Sequence, residues 1–265
     1  MNDSTIGLDG DAVGTLPLKA LDADRWLDDP ARRQAYVTRM FEIIAPRYDH
    51  FTRAFSFGMD ARWKRELVTI AHQLLGPAEA VLDLACGTGD LALAIAPAVA
   101  RGRVVGIDAA AGMIERADAA RRARGCEHVH FRVGDMADLR FVPTGSIDLV
   151  TIGYGLRNVA DLDACLGECR RVLRRGGTLL SLDFALPEGR LWRALFLSYL
   201  QLAGDVVGWL WHRDPTVYGY IARSIRRFMT AAQLSRRLQQ HGFEVREERH
   251  HLGGGVCLHV AWRYS

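Results

Sequence analysis

One stretch of ten residues, Val81–Asp90, restricts the fold of this chain more than any other. It reads Val-Leu-Asp-Leu-Ala-Cys-Gly-Thr-Gly-Asp, so that a short apolar run with an acid in it opens into two glycines separated by one residue. A helix-competent stretch follows, with apolar side chains at Leu91, Leu93 and Ile95. This order predicts a strand, a tight turn and a helix start, because glycine lets a backbone approach a ligand that a Cβ would strike. The loop therefore indicates a bound nucleotide-like cofactor.

Two cofactors fit this loop. Gly87–Ala92 matches the loose dinucleotide pattern with alanine in the third place, and Asp108 ends the next apolar run where either cofactor would present its ribose hydroxyls. Asp83 separates the two, because an acid four residues ahead of Gly87 would lie unfavourably beside the phosphates of a dinucleotide. The same acid suits the cationic amino-acid tail of S-adenosylmethionine. The pair of acids favours S-adenosylmethionine, with NAD as the alternative.

Downstream of the loop, apolar runs alternate with a helical pattern. We expect strands over 129–133, 146–153 and 178–183, and a helix over 161–174 that is ended by Gly176 and Gly177. Strands alternating with helices of this length predict a parallel, doubly wound sheet. Ligands of such sheets bind beyond the carboxyl ends of the strands. The residues expected at those ends are Asp83, Asp108, Asp135 and Gly153.

Composition sets wider bounds. The 265 residues fit one domain with appended elements, and a net charge of +3 is too small to indicate a nucleic-acid partner. The five cysteines form no C-x-x-C pair and the histidines have no metal-ligand spacing, so we expect no metal. The N-terminus lacks the features of a signal peptide, which predicts a cytoplasmic protein. We expect a loose tail over residues 1–25 and one domain over 26–265.

Several strings outside the glycine loop carry a resemblance to a known family. They are Met40–Asp49, Gly155–Val159, Arg171–Gly177, Tyr218–Ile225 and Gly255–His259. Over roughly residues 36–263 the chain resembles the ubiquinone/menaquinone-biosynthesis C-methyltransferases of the UbiE/MenG type. Gly155–Val159, which reads Gly-Leu-Arg-Asn-Val, is the most family-specific of these strings.

The chain also departs from the family pattern at several places, one of which is the glycine tract Gly253–Gly255. Phe51-Thr52 stands where the family usually has Met-Asn, Asp60 where a histidine is common, and Asp183 where glutamate is usual. The methyl-transfer core is intact, so we expect these departures to affect which substrate is bound.

The resemblance implies a fold and a cofactor site. The fold is the α/β class I methyltransferase (Rossmann-like) fold, with a doubly wound, mostly parallel seven-stranded sheet. A helical lid would comprise N-terminal helices within 26–76 and an insertion over 189–225. The resemblance also implies that Asp135 meets the adenine amino group of S-adenosylmethionine. The expected cofactor-binding residues are Asp83, Ala85, Gly87, Thr88, Gly89, Asp108, Ala109, Met113, Asp135, Met136 and Gly153.

The resemblance further implies methylation of carbon on a hydrophobic prenylated phenol or quinol. The alternative is a specialised-metabolism enzyme that methylates oxygen, nitrogen or a prenyl diphosphate carbon. Arg157 would stabilise the phenolate, since a guanidinium stays protonated in proteins, and Asn158 would orient the same oxygen. A structural ion pair near a helix start is the alternative role for Arg157. Tyr48 completes the catalytic set, and the expected substrate-binding residues are Tyr48, His50, Phe57, Arg157, Tyr218 and Tyr220.

The segment 191–211 is apolar except for a narrow polar stripe. Arg193 and Asp205 make it costly for this segment to span a bilayer. A wall of a hydrophobic substrate pocket, a homodimer contact and a peripheral membrane contact are the three remaining interpretations. Trp209, Trp211 and the nearby arginines suit a membrane surface.

Overall fold

The computed structural model describes residues 30–44, 58–212 and 216–264. The expected tail over 1–25 and the predicted site residues Tyr48, His50 and Phe57 lie outside the described residues. Short 3-10 turns cover Ala96–Val99, Leu156–Asn158 and Leu252–Gly254. In chain order the longer elements are α1 (Pro30–Ile44), α2 (Met59–Leu74), β1 (Ala80–Leu84), α3 (Asp90–Ile95), β2 (Arg103–Asp108), α4 (Ala111–Arg124), β3 (Val129–Val133), β4 (Ile147–Gly153), α5 (Leu162–Val172), β5 (Leu173–Phe184), α6 (Arg190–His212), α7 (Thr216–Arg227), α8 (Ala231–Gln240), β6 (Phe243–His251) and β7 (Val256–Arg263).

Local signals in the sequence begin and end several of these helices. Asp161 caps α5, accepting a hydrogen bond from the Ala164 backbone N–H at 2.9 Å. Thr230 and Gln233 form a reciprocal capping box at the start of α8. Gly125 ends α4 in the left-handed conformation, with φ of 65°, which glycine adopts without a Cβ penalty.

The seven strands form one sheet in the order β3-β2-β1-β4-β5-β7-β6. The neighbours from β3 to β5 pair in parallel, whereas β7 is antiparallel to both β5 and β6. This confirms the doubly wound, mostly parallel seven-stranded sheet. The strand order reverses between β1 and β4, and ligands of open α/β sheets bind in the crevice at such a point.

The boundary between α5 and β5 differs from the sequence-based expectation. The helix predicted over 161–174 ends at Val172, and β5 begins at Leu173 and runs through both glycines. Gly176 has a φ of 73°, and a Cβ on Gly177 would lie 2.9 Å from the Arg174 carbonyl oxygen. The two glycines therefore serve a tight bend within a strand rather than a helix end.

Helices cover both faces of the sheet because the strand side chains alternate. Leu82 and Leu84 of β1 pack in one apolar cluster with residues of α5 and α8. Val81 packs on the other face with residues of α2 and α3. Cys165 and Cys169 are fully buried in the α5 layer and belong to the core.

A third cluster joins α1, α6 and α7 above the carboxyl ends of the strands. Its buried members include Tyr36, Val37, Phe196, Leu200 and Ile225, and they pack on Ala110 and Met113 at the start of α4. The segment 26–76, expected to supply lid helices, is thus divided. The α1 helix belongs to the lid, whereas Trp63 and Leu67 place α2 in the layer against the sheet. Within the described residues, no helix is both long and apolar enough to cross a membrane.

Candidate active site

A cavity of about 640 Å³, its open mouth included, lies at the carboxyl ends of β1, β2 and β4. Its upper wall comes from α1, through Val37, Thr38 and Phe41. Eight of the predicted cofactor-binding residues line it: Ala85, Gly87, Asp108, Ala109, Met113, Asp135, Met136 and Gly153. The structure thus brings together residues that are spread over most of the first five strands.

Asp108, at the end of β2, holds the glycine loop in place. Its Oδ2 accepts a hydrogen bond from the Gly87 backbone N–H at 2.8 Å, and its Oδ1 accepts one from the Ala110 N–H at 2.9 Å. Burial raises the pKa of this carboxyl, and the hydrogen bonds from these backbone groups oppose the rise. Each carboxylate oxygen has a second lone pair, so the side chain can still accept from two neighbouring hydroxyls of a ribose.

The loop itself requires glycine at Gly89. Its φ is 84°, and a Cβ there would lie 2.6 Å from the Cζ of Phe131. Gly87 also has a positive φ, of 55°, which turns the chain back towards Asp108.

Asp83 lies beneath the loop rather than on the cavity wall. Its side chain is fully buried, with Oδ1 accepting from the Thr151 hydroxyl at 2.7 Å and Oδ2 from the Ala92 backbone N–H at 3.2 Å. Desolvation raises the pKa of Asp83 to about 7, although the hydrogen bonds from Thr151 and Ala92 lower it. Asp83 is therefore not among the residues that line the cavity, and in this structure it supports β4 and α3.

Two residues at the tips of β1 and β4 have strained backbones. Ala85 has a φ of 52° and Tyr154 a φ of 60°, and neither is glycine. Between them, a Cβ on Gly155 would lie 2.7 Å from the Ala85 Cβ. Strained positions of this kind cluster at binding sites, and these two lie where the strand order reverses.

Arg157 forms a buried ion pair with Asp183. Its Nη1 donates to Asp183 Oδ1 at 2.5 Å and to the Tyr154 carbonyl oxygen at 2.8 Å. The two charged side chains are only 6% and 3% exposed. Arg157 lines a neighbouring cavity of about 630 Å³, its open mouth included, together with Arg33, Arg227 and Arg237. This arrangement corresponds to the structural ion pair that the sequence left open as the alternative role.

Asn158 lines the main cavity and connects it to the lid. Its Oδ1 accepts a hydrogen bond from the Tyr220 hydroxyl at 2.6 Å, and its Nδ2 donates to the Tyr154 carbonyl oxygen at 3.2 Å. Tyr220 is 1% exposed, and burial raises the pKa of its hydroxyl well above the usual range. Tyr220 lines the neighbouring cavity beside Arg157, not the wall formed by Asn158.

Two expected site residues, Thr88 and Tyr218, are not among those that line the cavity. Thr88 is 9% exposed, next to Gly89 in the loop. Tyr218 belongs to α7, but its side chain lies outside the described residues. Sequence reasoning missed Val37, Phe41 and Tyr154, which all line the cavity. The glycines on both sides of Tyr154 were the signal that a special backbone conformation lies there.

The structure also brings together three side chains that the spacing did not group. Ligand atoms of Glu248, Cys257 and His259 lie within 4.8 Å of one another. Glu248 accepts a hydrogen bond from Ser235, and His259 Nε2 lies 3.2 Å from the Ala231 carbonyl oxygen. Burial raises the pKa of the Cys257 thiol to about 12.

Relatives of known sequence cover most of the chain. A demethylmenaquinone methyltransferase of Thermus thermophilus is 40% identical over 209 residues, which is 79% of this chain and 93% of the relative. The ubiquinone/menaquinone biosynthesis C-methyltransferase UbiE of Rubrivivax gelatinosus is 35% identical over 237 residues, covering 89% and 90% of the two chains.

Solved structures support the fold. A SAM-dependent methyltransferase of Aquifex aeolicus matches with a TM-score of 0.53 at 17% identity, covering 74% of this chain and 87% of that one. A geranyl diphosphate C-methyltransferase of Streptomyces coelicolor matches with a TM-score of 0.53 at 16% identity, covering 75% and 77%. At these identities the likeness is one of fold.

The model of the ubiE/COQ5 methyltransferase family matches residues 30–263, which is nearly all of the described chain. This match confirms the resemblance read from the sequence, the enzyme class, and S-adenosylmethionine as the cofactor. The chain belongs to the ubiE/COQ5 methyltransferase family.

Proposed function

We propose that this enzyme transfers the methyl group of S-adenosylmethionine to a ring carbon of a demethylmenaquinol-like prenylated quinol. One observation carries the proposal: a single cavity joins the strand-tip acids Asp108 and Asp135 to an apolar wall from the lid helix α1. A polar cofactor and a hydrophobic acceptor can therefore meet in one space. Relatives at 40% and 35% identity are demethylmenaquinone methyltransferases, which supports the choice of acceptor.

In this proposal the strand tips hold the cofactor. Asp108 accepts from the ribose hydroxyls and Asp135, which is exposed at the cavity, accepts from the adenine amino group. Met113 and Met136 supply apolar contacts for the adenine ring. The Gly87 turn approaches the methionine part, and the buried Asp83 keeps the start of α3 in place beneath it.

Methyl transfer depends more on the alignment of the two reactants and the exclusion of water than on a strong acid or base. The sulfonium methyl group that the cofactor supplies is already an electrophile, so the enzyme must align it with an electron-rich carbon and exclude water. Val37 and Phe41 of the lid exclude water above the cavity. When a hydroxyl on the neighbouring ring carbon loses its proton, the electron density on the acceptor carbon rises.

Asn158 is the polar group that we place against the acceptor oxygen. One of its two amide N–H groups donates to the Tyr154 carbonyl oxygen, and its Oδ1 is occupied by Tyr220, which leaves one N–H for a substrate oxygen. Arg157 then acts as a positioning residue. Its ion pair with Asp183 fixes the turn that presents Asn158.

A second candidate function rests on the neighbouring cavity. Besides the paired Arg157, the residues Arg33, Arg227 and Arg237 line it, and arginine is the side chain best suited to phosphate oxygens. This arrangement favours methylation of a carbon on a prenyl diphosphate.

The test is a methyl-transfer assay with S-adenosylmethionine and product detection by mass spectrometry. We expect methylation of chemically reduced demethylmenaquinone with a short prenyl tail, without added Mg²⁺. Methylation of geranyl diphosphate alone would replace the proposal with the second candidate. An Asn158→Ala variant should lose most turnover while binding S-adenosylmethionine normally, and Gln239→Ala on the exposed surface of α8 is the matched control. Equal turnover in both variants would remove Asn158 from the site.

A further inference from the structure

The lid helix α6 presents a long apolar face to solvent. Leu191, Leu195, Leu202, Val206, Trp209 and Leu210 are between 49% and 77% exposed. At 100° of rotation per residue, all six fall within an arc of about 100°, and the arc extends over roughly 28 Å of helix. We call these six side chains the outer face of α6. Large contiguous apolar surface of this kind marks an interaction site.

The opposite face of the same helix is the lid core. Phe196, Leu197 and Leu200 are between 3% and 6% exposed and pack with residues of α1 and α7. The helix is therefore apolar on two faces, and only one of them is needed for folding. The exposed leucines and tryptophan of the outer face lower the solubility of the protein. Their exposure is explained if this face binds a partner.

The lid that carries the outer face is basic in composition. The three lid helices α1, α6 and α7 contain eight arginines against two acids, Glu42 and Asp205, whereas the whole chain has a net charge of only +3. Asp205 accepts a hydrogen bond from Gln201, and Glu42 pairs with Arg39. An apolar helix face with tryptophan, on a lid rich in arginine, is typical of a helix that lies in the plane of a membrane interface.

We propose that the outer face of α6 docks on an anionic phospholipid bilayer. A bilayer satisfies both features, because the acyl region takes the apolar side chains and the anionic headgroups attract the arginines. A second copy of this chain would cover the apolar side chains but would not attract the arginines. A symmetric contact through α6 would bring two equally basic lids together, and like charges across an interface oppose association.

The position of the helix connects this surface to the cavity. Val37 and Met113 belong to the cluster on which α6 packs, and both also line the cavity. Helices in contact lie about 10 Å apart, so docking brings the cavity roughly one helix diameter from the lipid. If the acceptor is a prenylated quinol, as proposed above, its tail can remain in the bilayer while its ring enters the site.

The experiment is co-sedimentation of the full-length protein with vesicles of phosphatidylcholine alone or with phosphatidylglycerol added. We expect binding to the mixed vesicles that weakens at high salt. Leu195→Glu/Leu202→Glu should weaken binding at least about tenfold, because two apolar side chains are lost from the interface. The control, Gln239→Glu/Gln240→Glu, makes the same change in charge at exposed positions of α8 and should bind within about twofold of the unaltered protein.

Three results would overturn the proposal. The first is no binding of the unaltered protein to either vesicle, and the second is equal loss of binding in both double variants. The third is a dimer in lipid-free ultracentrifugation that only the leucine variant dissociates. Calorimetric titration with S-adenosylmethionine checks that each variant is folded. Vesicle binding needs no turnover, so its failure is distinguishable from failure of the proposed reaction.

Discussion

Replacing Asp183 by asparagine removes one charge of the buried Arg157–Asp183 pair while keeping the shape of the side chain. The pair is less than a tenth exposed, so solvent cannot compensate the guanidinium that remains. Asp183 Oδ2 also accepts a hydrogen bond from the Arg157 backbone N–H at 3.3 Å. The amide nitrogen of asparagine at that position is a donor, so it cannot accept this hydrogen bond. Breaking a buried pair from one side costs about 3–5 kcal/mol, and we expect the free energy of unfolding to fall by this amount. That is about a fifth or more of the stability of an ordinary domain.

The assay is urea unfolding followed by circular dichroism, with Asp183→Glu as the matched control. Glutamate keeps the charge, and it is the residue usual in the family at this place, so we expect a loss of less than about 1.5 kcal/mol. Arg157→Leu combined with Asp183→Leu should recover stability relative to Asp183→Asn, because no buried charge is left alone. A loss below about 1 kcal/mol for Asp183→Asn would refute the reasoning, since it would mean that the guanidinium is solvated.

Three further predictions concern the cofactor and the lid. Asp108→Asn should weaken S-adenosylmethionine binding by about 1–3 kcal/mol in calorimetric titration, and an unchanged affinity would exclude Asp108 from the ribose site. Tyr220→Phe removes the hydroxyl that donates to Asn158 Oδ1 at 2.6 Å. The free energy of unfolding should therefore fall by about 1–3 kcal/mol, while the affinity for the cofactor is retained. A stability equal to that of the unaltered protein would contradict this hydrogen bond. The pKa of Asp83 is raised to about 7, so the folded state holds a proton that the unfolded state has lost, and stability should decline between about pH 4 and pH 7 by up to roughly 1.4 kcal/mol per unit. Asp83→Asn should lack this decline in parallel urea titrations at pH 5 and 7, and identical slopes would mean that Asp83 titrates normally.

Local patterns were enough to predict the cofactor loop. The strand, the turn and the helix start all fall within Val81–Ile95, and each is specified by periodicity or by glycine. The burial of Asp83 had a local signal as well. Because strand side chains alternate, an acid between Leu82 and Leu84 points to the opposite face from theirs, which is the face that α3 covers.

Contacts distant in sequence were not predictable in the same way. Asp183 reaches Arg157 only because β5 lies beside β4 in the sheet. The spacing of apolar residues in the sequence does not specify the order of the strands. Tyr220 meets Asn158 across 62 residues because α7 packs over the turn after β4. The family resemblance implied N-terminal lid helices within 26–76, but not that α1 closes the cavity while α2 covers the sheet.

By itself the sequence determined the alternation of strands and helices, the glycine turn, the acids at the strand ends and the family. These depend on neighbours within a few residues, where side-chain period and backbone restriction act directly. Only the tertiary structure decided that Arg157 is neutralised by Asp183, that Asn158 connects the cavity to the lid, and that α6 leaves an apolar face exposed. Each of these depends on which surfaces meet, and a helix with two apolar faces does not specify which one the fold will bury.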